Sequence, residues 1–330
     1  MIEAGPSSLA LFWMAVIAIA ILVYVILDGF DLGVGILFGI AEDEARRDAM
    51  MATISPFWDG NETWLVVIGA TLFAAFPMVY SVFLPAFYIP VLLMLLGLIL
   101  RGVAFEFRYR AARKFWDFGF FLGSTVAAFV QGAAVGAMIR GIPVANGQFA
   151  GGTFGWLAPL PVLTGVGLVF GYALLGAGWL VMKSEGDLRE WARQRIPTLA
   201  ILVLGVLALA FDAALYDRRR IGADLADRLW GVIFPGLGLL AMAGVLIGVH
   251  KRRDGMPFAM TVAFFIASFL SLAVLFWPYM IPYQVTLADA AAPDKSLSFL
   301  FWGAGVFVLP VIVIYTAVVY WVFRGKLRQA

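Results

Sequence analysis

Three short stretches set ionisable groups inside or beside apolar runs, where chemistry is costly to place. Asp28 and Asp31 lie in Leu27-Asp28-Gly29-Phe30-Asp31-Leu32-Gly33-Val34-Gly35, spaced so that a helix would carry both carboxyls on one face. A charge at the centre of a bilayer costs at least about 2.5–3.5 kcal/mol, so such a pair needs a reason to be there. Two readings stand: a solvated end of the first helix, or carboxyls along a proton path or facing a buried partner. The second stretch is Pro56-Phe57-Trp58-Asp59-Gly60-Asn61-Glu62-Thr63-Trp64. Asp59 could cap a helix with Glu62 in its first turn. Two acids, an amide and two Trp rings are nevertheless more than a cap requires. With Asp28 and Asp31 they gather four carboxylates near the inner ends of adjacent helices, as a proton entry would. The third stretch is Arg101-Gly102-Val103-Ala104-Phe105-Glu106-Phe107-Arg108. Arg101 can pair with a carboxylate from either earlier stretch, forming a network in place of an isolated buried charge.

The elements that position these groups follow from composition. Of 330 residues, 63% are apolar and only 13% charged, against about half and a quarter in soluble domains. Mean hydropathy is +0.96, so the chain reads as a helical membrane protein. Zero Cys excludes disulfides and thiolate metal sites. A single His can hardly ligate several haems. His250, beside Lys251, Arg252 and Arg253, reads as a solvated anchor. The net charge of +2 comes from basic residues in short loops, so no nucleic-acid partner is expected.

On a scale of about 20 apolar residues per span, nine candidates appear. They run Leu9 to Leu27 (to Ile40 if the acids are included), Glu62 to Val79, Val82 to Leu100, Phe118 to Ile139, Trp156 to Val181, Ile196 to Leu215, Trp230 to Val249, Phe258 to Ile281, and Phe299 to Phe323. The expected fold is all-α and polytopic, one transmembrane domain over 1–330. Helices 1–4 would occupy about 9–140, helices 5–8 about 156–281 and helix 9 about 299–323, as two four-helix bundles and a peripheral helix. With the N-terminus outside, seventeen Lys and Arg fall in inside segments and six outside, the 217–228 loop being the weak point. That bias puts the C-terminus in the cytoplasm. Arg108, Arg110, Arg113 and Lys114 read as anchors of the same kind, Asp117 and Gln131 carry weaker signals, and Asp212 reads as a membrane-face residue. Gly29/Gly33, Gly35/Gly39, Gly132/Gly136 and Gly167/Gly171 are pairs that let helices pack closely.

Four ordered motifs then meet a family. Asp28-Gly-Phe-Asp-Leu-Gly-Val-Gly, Trp58-Asp-Gly-Asn-Glu-Thr-Trp64, Phe73-Ala-Ala-Phe-Pro-Met-Val-Tyr80 and Arg101-Gly-Val-Ala-Phe-Glu-Phe-Arg108 closely resemble subunit II of the cytochrome bd-type quinol oxidases. These cover about the first third of the chain; Trp277-Pro-Tyr and Pro310-Val-Ile-Val-Ile-Tyr-Thr agree later on. Asn61-Glu62-Thr63-Trp64 is similar to the cyanide-insensitive branch. The resemblance implies a subunit of a bacterial inner-membrane respiratory complex that oxidises quinol and reduces dioxygen to water. It implies a heterodimer in which subunit I holds haems b and d and the quinol site, while this chain ligates none. A bound quinone and a small single-helix accessory subunit belong to the same expectation. Asp28, Asp31, Asp59, Glu106 and Arg101 fall where the family's proposed proton channel lies, with Trp58, Asn61 and Glu62 in support. Glu106 stands where some relatives carry Asp, and Glu62 where some are uncharged. The expected order is entry through Asp28/Asp31 and Asp59, then passage by Glu106, with Arg101 poising the carboxylates. Two other classes stay open: a proton-coupled transporter, and a structural scaffold whose charges only fix an interface.

Overall fold

The computed structural model describes residues 5–110, 112–221 and 232–327. In chain order its elements are α1 (Ser8–Phe38), α2 (Glu44–Ile54), α3 (Trp58–Ala75), α4 (Pro77–Ala86), α5 (Tyr88–Phe107) and α6 (Arg113–Arg140), then a hairpin of β1 (Val144–Ala145) and β2 (Gln148–Phe149). There follow α7 (Pro159–Lys183), α8 (Gly186–Ile221), α9 (Ile233–His250), α10 (Gly255–Phe276) and a second hairpin of β3 (Tyr279–Ile281) and β4 (Val285–Thr286). The short α11 (Leu287–Ala290) and α12 (Asp294–Leu300), a π turn (Phe301–Gly305) and α13 (Val308–Val322) complete the order. Residues 222–231, most of the expected 217–228 loop and the start of the expected seventh span, lie outside the described residues.

Eight described helical segments are long and apolar enough to cross a membrane: α1, α5, α6, α7, α8, α9, α10 and the stretch Asp294–Val322. The expectation was nine. The missing one is the second, Glu62 to Val79, and two physical causes account for it. Asp59, Asn61 and Glu62 make the start of α3 polar, and Pro77, which offers no amide donor, breaks the helix at Phe76. The expected third span likewise divides at Phe87, between α4 and α5. Even so, α3 lies along α1 in the opposite sense. Asn61 meets Leu27 and Asp31 at one end, Trp64 and Val67 pack with Ala20 and Tyr24, and Ala75 joins the cluster of Ala10 and Trp13 at the other.

The first helix removes the solvated-end reading of Asp28 and Asp31. It does not stop at Leu27 but continues to Phe38 over 31 residues, about 46 Å at 1.5 Å per residue. Both acids are therefore enclosed within the helix and fully buried. At the centre of the molecule α1 crosses α7, with α6 against both, α3 on α1, α5 on α6, and α8 and α10 on α7. The crossing is close because Gly33 faces the Tyr172 carbonyl and the Gly176 backbone. A Cβ added at Gly33 would come within 1.8 Å of that carbonyl oxygen.

At one end, α4, both hairpins, α11 and α12 form a cap. Asn146 and Gly147, both at positive φ, make the two-residue turn of the first hairpin. The Trp13 indole donates to the Leu297 carbonyl at 3.2 Å, and the Ala292 amide to the Ala75 carbonyl at 2.9 Å. The opposite end is basic and carries α2 and the chain's last described residues. There Lys183 donates to the carbonyls of Phe323 and Gly325, the Leu327 amide returns a bond to the Lys183 carbonyl, and Lys326 pairs with Asp254 at 2.7 Å. These bonds secure α13, which has no buried residue of its own.

Candidate functional site: a buried acid–guanidinium cluster

Arg101 reaches from α5 between α1 and α3. Its Nη2 donates to Asp28 Oδ1 at 2.7 Å and also to Glu62 Oε1. Arg101 and Asp28 are fully buried, and the Glu62 side chain keeps 25% of its exposure. One turn further along α1, Asp31 Oδ2 accepts from Asn61 Nδ2 at 2.7 Å; the same amide donates to the Leu27 carbonyl. Asn61 Oδ1 in turn accepts from the Tyr320 hydroxyl at 3.0 Å, so α13 closes the cluster from the far end of the chain. Two carboxyls thus pair with one guanidinium, and a third, Asp31, lies one turn away. Asp28 Oδ2, Asp31 Oδ1, and Nε and Nη1 of Arg101 are buried with no partner among the described residues. Buried polar atoms of this kind are ordinarily satisfied, often by internal water.

The remaining expected residues stand outside this core. Trp58 is half-buried, with its ring stacked on Phe105 at 5.1 Å between centroids. Asp59 and Glu106, on either side of that stack in sequence, are both exposed. No side-chain hydrogen bond or ion pair of either is seen among the described residues. His250 is exposed, as expected of an anchor, and Asp212 is exposed on α8.

Arg108 corrects an expectation. Expected as a solvated anchor, it is fully buried, its Nε on Asp117 Oδ1 at 2.7 Å and its Nη1 on Asp48. Arg47 binds the other Asp117 oxygen at 3.1 Å, and Arg113 binds Asp48 at 2.8 Å and Glu44 at 3.3 Å. The Arg47 and Arg108 guanidinium carbons each lie 5.3 Å from the Phe38 ring centroid. Burial alone would raise the Asp48 carboxyl, but hydrogen bonds from Arg108 and Arg113 hold it below the ordinary carboxylate range. Here three acids face three guanidiniums. Asp117 carried only a weak sequence signal, and Asp48, ten residues past the end of α1, carried none.

The sequence matches the family described as cytochrome bd terminal oxidase subunit II over residues 9–323. It is 28% identical over 361 residues to the cytochrome bd-I ubiquinol oxidase subunit 2 of Escherichia coli (strain K12), across 96% of this chain and 94% of that one. It is 30% identical over 338 residues to the cytochrome bd ubiquinol oxidase subunit 2 of Bacillus subtilis (strain 168), across 98% of each. Among solved structures, a chain of the bd oxidase from Geobacillus thermodenitrificans superposes with a TM-score of 0.75. The pair share 17% identity, covering 94% of this chain and 98% of that one, a likeness of fold.

Proposed function

Because the chain belongs to the cytochrome bd terminal oxidase subunit II family, we propose that its buried cluster carries protons from the cytoplasm toward the oxygen-reducing site of a partner subunit. The chain is then the haem-free second subunit of a bd-type quinol oxidase, and it stabilises a haem-bearing subunit I in a bacterial cytoplasmic membrane. Its one imidazole, His250, is exposed among basic residues and does not fit an intramembrane axial ligand. The haems, whose redox chemistry reduces dioxygen, accordingly belong to the partner.

The observation that carries the reading is three buried or half-buried carboxyls around Arg101, with unpartnered oxygens between them. Three acids against one base leave negative charge uncompensated, which a low-dielectric site relieves by taking up a proton. Reduction of dioxygen to water consumes protons, and a file of carboxyls and waters lowers the barrier to their delivery. Exposure supplies the order of the file. Asp59 and Glu106 stand at the exposed mouth, Glu62 one turn inside, and Asp28, Arg101 and Asp31 at the core. Glu106 therefore serves entry, before the cluster instead of after it. The basic end faces the cytoplasm on the bias of Lys and Arg. With α3 as a ninth crossing, the N-terminus lies outside. The helices α1, α3, α5 and α6 then form one four-helix group, α7 to α10 a second, and α13 stands at the periphery.

Family membership removes the transporter. A scaffold role keeps one observation in its favour, the ion pairs of the basic end, and one experiment separates it from the proton path. Asp31→Asn keeps the shape of the side chain and a hydrogen-bonding partner for Asn61. In the purified complex the reduced b- and d-type haem bands should keep wild-type intensity while oxygen consumption falls at least about tenfold. Wild-type turnover in a fully assembled complex refutes the path. Loss of haem and turnover together points to the scaffold.

A further inference from the structure

A line of hydrogen bonds across α7, α6 and α1 lies beside the cluster. Tyr172, on α7 at the close crossing with α1, donates its hydroxyl proton to Oε1 of Gln131 at 2.7 Å. Gln131 Nε2 donates to the Tyr24 hydroxyl oxygen at 3.0 Å. Both tyrosines are buried. With its oxygen occupied by one proton and an N–H given to the next oxygen, the amide polarises the line toward Tyr24. The Tyr24 hydroxyl accepts from Gln131 and retains its own proton to give. Asp28 is four residues on, on the same face of α1, and its buried Oδ2 has no hydrogen-bond partner among the described residues and is free to accept.

The groups that face Asp28 come from several elements. Tyr24 and Asp31 share its helix, Glu62 comes from α3, Arg101 from α5, Tyr172 from α7 and Tyr320 from α13, while Gln131 of α6 reaches Tyr24. We propose that Tyr24, Gln131 and Tyr172 are positioning residues, a one-way line of donors that holds Asp28 as the fixed partner of Arg101. The mobile protons of the path are then carried by Asp31 and Glu62. The line is not itself a proton wire, because an amide passes a proton on only by rearranging to its imidic form. It ends the path on that side and divides labour among three carboxyls that look equivalent in sequence. The inference rests on the proton-path reading above.

Tyr24→Phe tests it in the assembled oxidase by removing one hydroxyl and keeping the ring. The acid limb of the rate–pH profile reports whether the Asp28–Arg101 pair holds in the working complex. A donor that favours the charged form keeps that limb low, and its loss moves the limb upward. The acid limb of the rate–pH profile should rise by about one pH unit, with haem bands unchanged. Tyr172→Phe, two bonds further back, should move it the same way by less, and it keeps the test open if Tyr24→Phe fails to assemble. An unshifted acid limb beside a slow Asp31→Asn complex overturns the donor line and leaves the path standing. Wild-type turnover in Asp31→Asn overturns the path and the donor line with it.

Discussion

Arg101 and Arg108 stand seven residues apart, about two turns, toward the same end of α5, and both are fully buried. Their surroundings differ in one respect. Around Arg108 the charges balance: Asp48, Asp117 and Glu44 meet Arg47, Arg108 and Arg113, with the Phe38 ring beneath two of the guanidiniums. Around Arg101 they do not, since Asp28 and Glu62 pair with one cation and Asp31 lies nearby. A balanced network staples helix ends together: α1, α2, α5 and α6 all contribute to it. An unbalanced one inside the bundle is costly to keep, which suits the proposed passage of protons.

Substitutions at the two arginines should separate these roles. Arg101→Met has the largest expected effect. It leaves the surrounding carboxyls without a cation at a cost of about 3–5 kcal/mol, so membranes should contain little assembled complex and little haem signal. Assembly at wild-type level would show that the cluster does not depend on its cation. Arg108→Gln should cost about 1–3 kcal/mol, because Asp117 keeps Arg47 and Asp48 keeps Arg113. The complex should melt earlier in a thermal assay but turn over normally per haem. A turnover defect without a loss of stability would erase the distinction between the two sites.

The smallest effect belongs to Asp48→Asn. The Asp48 carboxyl is held low in the folded chain, so its stabilisation is present above the ordinary carboxylate value and is lost as pH falls below about 4. The variant should start with a lower melting temperature at neutral pH and lose less of it on acidification. Parallel melting curves for variant and wild type would place the staple elsewhere.

Much of the cluster was legible because membrane burial makes a charge conspicuous. Asp28, Asp31, Glu62 and Arg101 stand out against apolar neighbours, and pairing of Arg101 with both acidic stretches follows from the need to compensate a buried cation. Their ranking was not legible. Asp59 and Glu62 differ by three residues in sequence, yet the helix turns one outward and the other toward Arg101. The contribution of Tyr320 could not be read either, because Asn61 lies 259 residues away and no local pattern encodes that meeting. Arg108 was misread for the opposite reason: it sits in a run of basic residues, where the generic expectation of a solvated anchor hides an individual exception. The spans were read well where apolar runs were uninterrupted. The limits of the second moved to Trp58–Ala75 because one proline and three polar residues alter helix limits more than they alter average apolarity.

The bond between Tyr320 and Asn61, with the clasp of Lys183 on the carbonyls behind it, also has a meaning in time. A ribosome delivers residues 28, 31, 61, 62 and 101 early, and the helices bearing them can enter the bilayer and pair. The hydroxyl that holds Asn61, and the segment through Leu327 that fastens its helix, emerge more than 200 residues later. A late part of the chain therefore completes the network that its first third begins, and Asn61 is held from both sides only once α13 is in place.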